Sequence, residues 1–233
     1  MLTVIADFLR FAFFRRIKGN VADNWIAYLA VGLAITWLVG FGRTWDFDAA
    51  PLWLRTGLPS IGYVFVLAAI IWAVVLGLRP ARWSYKSVLL VVTMTAAPGV
   101  IYAAPVERIL AADTARGVNM LFLLVVATWR MALYYKFLRD VALLPSHATL
   151  VAWLLPPTLV VAPLSLFGLL GAIARDMGGV RETVDPGEIS GGAIMFIAAA
   201  SWLLLPVLLV SFVVFVIQRN RSTPTTAAKE SNT

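Results

Sequence analysis

Six apolar runs, each about 18 to 27 residues long, divide this chain, and the short segments between them hold nearly all of its charge. A hydrocarbon slab roughly 30 Å thick imposes that pattern, because a helix rising 1.5 Å per residue needs about 20 apolar residues to cross it. Composition agrees: 61% of the 233 residues are hydrophobic and 13% are charged, whereas soluble domains run at about 45–50% and 25%. The expected fold is therefore all-α, a polytopic transmembrane helical bundle of about six spans.

The spans are read at 25–41, 61–78, 88–104, 118–137, 148–174 and 192–217. The last two exceed the minimum length, so tilting or kinking is expected there. Residues 1–18 are too interrupted by Asp7, Arg10, Arg15, Arg16 and Lys18 to cross. At 100° per residue, Leu2, Ile5, Leu9, Ala12 and Phe13 share one face and Asp7 and Arg10 the other, which reads as an interfacial amphipathic helix. Phe11 and Phe14 fall on its polar side, placed to meet lipid or a partner. Three segments follow from this reading: 1–18 the interfacial helix, 19–218 the six-span domain, and 219–233 a small, polar tail with the composition of disorder.

Basic residues set the orientation. Arg10, Arg15, Arg16, Lys18, Arg79, Arg82, Lys86, Arg130, Lys136, Arg139, Arg219, Arg221 and Lys229 fall on one side of the spans. Only Arg43, Arg55, Arg108, Arg116, Arg175 and Arg181 fall on the other. By the positive-inside rule both termini are cytoplasmic, in a cell inner (plasma) membrane, and the number of spans is even. The net charge of +7 is thereby a topology signal and a headgroup contact, and no nucleic-acid partner is expected.

The absence of cysteine excludes thiolate metal sites, iron–sulfur clusters and thiol catalysis within the chain. His147 is the one imidazole, sitting where the fifth span begins. Asp176, Glu182, Asp185 and Glu188 share an outer loop but lack an alternating calcium-ligand pattern. No metal and no cofactor is expected.

Three features carry candidate chemistry. Arg130 is the most embedded charge, six residues or about 9 Å along a helix from Lys136. It reads either as an anchor whose head snorkels to water or as an inward contact for an anionic lipid or solute. Prolines form the second feature. Pro98 removes the hydrogen bond to the Met94 carbonyl, Pro206 that to Trp202, and Pro156, Pro157 and Pro163 together disrupt the fifth span, so all five read as helix kinks. Freed carbonyls in a bilayer must find donors, from neighbouring helices, from hydroxyls such as Thr93, Thr95, Thr158 or Ser201, or from water. The third feature is an outer-face polar cluster of Arg43, Asp46, Asp48, Glu107 and Arg108 on two loops that also carry Trp45, Phe47, Trp53 and Leu54. Two packed loops or a shallow outer site both fit it.

No carboxylate lies mid-span, where proton relays place one, and no phosphate loop, HExxH or Ser–His–Asp pattern occurs. The expected function is non-enzymatic: a scaffold or accessory subunit of a membrane complex, or a lipid-organising protein. Its partners would be membrane lipids and a partner membrane protein or a second copy. The alternative is a small transporter with a path between spans three, five and six and Arg130 on an anionic solute. A third class, an enzyme acting on lipid-linked substrates, would depend on Asp46, Asp48, Glu107 or Asp113.

Overall fold

A computed structural model describes residues 1–44, 52–169 and 189–221. Six helical segments are long and apolar enough to cross a membrane: Trp25–Gly42, Leu58–Leu76, Tyr85–Ala103, Gly117–Asp140, Ser146–Leu166 and Met195–Arg219. The polytopic all-α architecture read from the apolar runs is the one observed, and no strand occurs among the described residues. The helices are α1 (Leu2–Ala12), α2 (Trp25–Thr44), the single turn α3 (Leu52–Arg55), α4 (Leu58–Leu76), α5 (Tyr85–Met94), α6 (Ala112–Asp140), α7 (Ser146–Leu166) and α8 (Ile189–Arg221).

The spans run alternately up and down. Lys86 at the start of α5 lies 4.4 Å from the ring centroid of Trp25 at the start of α2. Arg219, near the end of α8, donates to the Leu78 carbonyl just beyond α4 at 2.9 Å. These elements mark one end of the bundle, called here the basic end. At the other end Trp37 Nε1 donates to the Thr56 carbonyl at 2.7 Å, and Gly57 turns the chain into α4 at φ 71°. A Cβ on Gly57 would fall 2.7 Å from the Phe41 amide nitrogen, so glycine is required there for both dihedral and space.

Which span is central follows from burial. The Tyr85–Ala103 segment is 61% buried, whereas Met195–Arg219 is 11% buried. The third span is thus the axis around which the others pack, and α8 is peripheral, held on α7 by Leu208 against Val151 and Leu155. Ser84 and Ser87 open the third span with reciprocal capping bonds. Its regular α-helix ends at Met94, four residues before Pro98, and the chain continues as a 3-10 helix over Ala97–Ala103. The residue whose carbonyl Pro98 cannot engage is the residue where the α-helix stops.

Span five stays helical through its prolines. The helix α7 runs through Pro156, Pro157 and Pro163 from Ser146 to Leu166 without being divided. One freed carbonyl has a visible partner: the Tyr134 hydroxyl of α6 donates to the Ala152 carbonyl at 2.9 Å, in place of the amide that Pro156 lacks. Conversely, Trp153 Nε1 of α7 donates to the Met131 carbonyl of α6 at 2.8 Å, and its ring meets Tyr135 edge-on.

A double-mutant cycle tests this arrangement. Tyr134→Phe should cost about 1 kcal/mol in a proline-containing helix, because a buried carbonyl loses its donor. In a Pro156→Ala background the restored amide can serve that carbonyl, so the same change should cost clearly less in thermal unfolding in detergent. Equal costs in both backgrounds would mean that the hydroxyl does not substitute for the missing amide.

Candidate functional site

The site is assembled where α1 lies on the bundle. Asp7 is fully buried, although the sequence put it on the polar side of an interfacial helix. Its Oδ1 accepts from Arg10 Nη1 at 2.8 Å and from the Lys18 amide at 3.1 Å, and its Oδ2 accepts from the Gly19 amide at 2.9 Å and the Tyr28 hydroxyl at 2.6 Å. Four donors thus fill the four acceptor positions of one carboxylate. Burial alone would raise the Asp7 pKa. The Tyr28 hydroxyl, the Lys18 amide, Arg10 and the Gly19 amide outweigh it and bring the carboxyl from its ordinary 3.8 to about 2.

This anchor decides how α1 faces. Val4, Asp7, Phe8, Phe11 and Ala12 are buried, with Phe8 stacked on Tyr28 at a centroid separation of 6.4 Å. Leu2, Ile5, Leu9 and Phe13 are exposed by 84%, 43%, 56% and 61%. The inward face is thus apolar apart from Asp7, and Leu2, Ile5, Leu9 and Phe13 form a second apolar face turned outwards, which is the arrangement a hydrocarbon solvent favours. Phe11, read as a residue for lipid or a partner, packs inside, while Phe14 stays partly exposed.

The end of α1 reaches α6. Trp129 Nε1 donates to the Ala12 carbonyl at 2.7 Å, and the Phe13 ring meets the Trp129 ring edge-on at 5.8 Å. Phe14 then reverses the chain in the left-handed region, φ 59°. It forms one wall of an open groove of about 380 Å³ whose other lining residues are Leu124, Val125, Thr128, Trp129 and Ala132. Directly after it come Arg15 and Arg16, exposed and with no side-chain partner among the described residues.

Arg130 faces away from that groove. At 100° per residue it lies within about 60° of Val126, Leu133, Tyr134 and Phe137, all buried. It therefore sits on the packing face of α6 rather than on the lipid face, is partly exposed, and has no hydrogen-bond or ion-pair partner among the described residues.

The outer-face polar cluster is only partly within view. Asp46 and Asp48 lie outside the described residues, as do the side chains of Arg43, Glu107 and Asp113. Arg108 closes a short 3-10 turn over Val106–Arg108. The two outer segments do start side by side: a Cβ on Gly42 would be 2.8 Å from the Ala103 Cβ. The carboxylate loop of Asp176, Glu182, Asp185 and Glu188, and the tail beyond Arg221, also lie outside the described residues. His147 is exposed in the first turn of α7, beside the Arg139–Ser146 hydrogen bond of 2.9 Å. Pro206 lies inside α8.

Sequence reasoning missed Asp7 and Trp129. The available signal for Asp7 was its isolation: it is the one carboxylate in the first 22 residues, among four basic ones. Trp129 carried no local signal, since its partner lies 117 residues away. Comparison with known proteins finds no matching family model, no matching curated protein and no matching solved structure.

Proposed function

We propose that the protein is a non-enzymatic integral protein of a cell inner membrane, with both termini in the cytoplasm, that organises lipid in the cytoplasmic leaflet. The observation carrying this reading is the outward apolar face of α1, held in place from its buried side by Asp7 and followed at once by Arg15, Arg16 and Lys18. An apolar face beside a basic cluster combines hydrocarbon burial with attraction for anionic headgroups. The excess of lysine and arginine at the basic end supports its cytoplasmic placement.

Purification of the chain in mild detergent should retain anionic phospholipid in a stoichiometric amount, and vesicles containing the purified chain should move no solute. A stoichiometric protein partner with no retained lipid would replace this reading with that of an accessory subunit. A second reading, transport of an anionic solute, is favoured by Arg130 alone, as a cation on a packing face at membrane depth with no partner among the described residues. Solute flux from the purified chain that Arg130→Gln abolishes would establish it.

A further inference from the structure

The groove beside Phe14 is built from one face of α6, since positions 124, 125, 128, 129 and 132 follow helical spacing. From Leu124 to Ala132 it runs about 12 Å along the axis, most of the roughly 15 Å depth of a single leaflet. Its lining is hydrocarbon apart from Thr128, and the one indole N–H in its wall already donates to the Ala12 carbonyl. Such a surface asks for no polar ligand along its length. Charge enters only with the residues that follow Phe14 in the chain. Arg10 is committed to Asp7, but Arg15 and Arg16, the two residues after the Phe14 wall, have no acidic partner among the described residues.

We infer that this groove seats one acyl chain of an anionic phospholipid, with Arg15 and Arg16 holding its phosphate-bearing headgroup. The inference rests on the lipid-organising reading and gives it a specific site. An anionic lipid fits both parts together: the apolar wall takes hydrocarbon, and two guanidiniums with no acidic partner among the described residues prefer a net negative headgroup to a zwitterionic one. The left-handed Phe14 is part of the device, because a non-glycine residue held at φ 59° costs about 1–2 kcal/mol and here supplies the second wall.

The test reconstitutes the full chain in vesicles of equal phosphatidylglycerol and phosphatidylcholine, re-extracts it in mild detergent and counts bound lipids by native mass spectrometry. The wild-type chain should keep about one phosphatidylglycerol and favour it over phosphatidylcholine. Arg15→Gln with Arg16→Gln should reduce that preference about tenfold or more, at roughly one charge-pair contribution per arginine. Two variants address the groove from opposite directions. Thr128→Phe fills it from an exposed position, and Phe14→Gly removes a wall while keeping the backbone turn. Both should lose the bound lipid without melting below the wild type, and Phe14→Gly, relieved of the left-handed strain, should melt at or above it.

Retention of the lipid by both groove variants, with wild-type preference, overturns the site and leaves the lipid-organising reading standing. Absence of bound lipid from the wild-type chain overturns both.

Discussion

Asp7→Leu should detach α1 from the bundle and lower stability by about 2–4 kcal/mol, the range for removing a buried charge that satisfies several donors. The loss comes from what is left behind: the Tyr28 hydroxyl, the Lys18 and Gly19 amides and Arg10 all point at Oδ1 or Oδ2. Asp7→Asn should do nearly as much harm despite its shape. An amide has one acceptor oxygen, so its NH₂ confronts either Arg10 and the Lys18 amide or the Gly19 amide, none of which can accept. Thermal unfolding in detergent gives the size of the effect, and hydrogen exchange over residues 2–12 locates it. A wild-type melting temperature in Asp7→Leu with α1 still protected would remove the anchor role.

The same carboxyl predicts a pH window. Its pKa falls from 3.8 to about 2 in the folded state, so its stabilisation is fully present above about pH 4 and is lost as the pH drops through about 2. Between pH 4 and 7 the docking of α1 should therefore not vary. Loss of stability on going below pH 4 should be smaller in Asp7→Asn than in the wild type.

Gly32→Ala and Gly62→Ala should shift stability in opposite directions. A Cβ on Gly32 would lie 2.5 Å from the Cβ and Oγ1 of Thr93 and 3.2 Å from Phe8 Cζ. Thr93 is fully buried and donates to the Leu90 carbonyl at 2.7 Å, so it has little room to yield. Forcing α2 away from α5 and α1 should cost about 1–3 kcal/mol, as overpacking in a tight core does. On Gly62, in the body of α4, the added methyl meets nothing within 4 Å. There the substitution should be neutral or raise stability by up to about 1 kcal/mol, through helix propensity. Matched melting curves in one detergent decide the question, and equal shifts for the two variants would mean that α2 and α5 are not in close contact at Gly32.

The spans were legible because a bilayer forces length and polarity onto the sequence, and the observed helices begin and end close to the expected limits. The fifth shows where that logic stops. Its apolar run continues to Ala174, but the helix ends at Leu166 and the chain turns at Gly168 with φ 68°. Its prolines read as kinks that free carbonyls, but the sequence does not display Tyr134 as the donor on the next helix that serves one of them. Facing was the harder problem. In a membrane the protein interior and the surrounding lipid are both apolar, so periodicity reports that a helix has two sides without reporting which one meets protein. Hence the sequence displays the amphipathicity of the first helix, while the burial of Asp7 and the exposure of Leu2 and Leu9 are set by the packing. Arg130 posed the same difficulty, and only its buried neighbours on α6 identify it as facing the bundle.

The bond from Trp129 to the Ala12 carbonyl spans 117 residues, and this separation imposes an order on biosynthesis. The contact between Asp7 and Tyr28 joins residues 21 apart and becomes available as soon as the first span has emerged. The seat on α6 does not exist until three further crossings have been made. At translation rates of about 5–20 residues per second, the first helix waits roughly 5–20 s between its first attachment and its last, and its final docking marks a chain whose first four spans are in place.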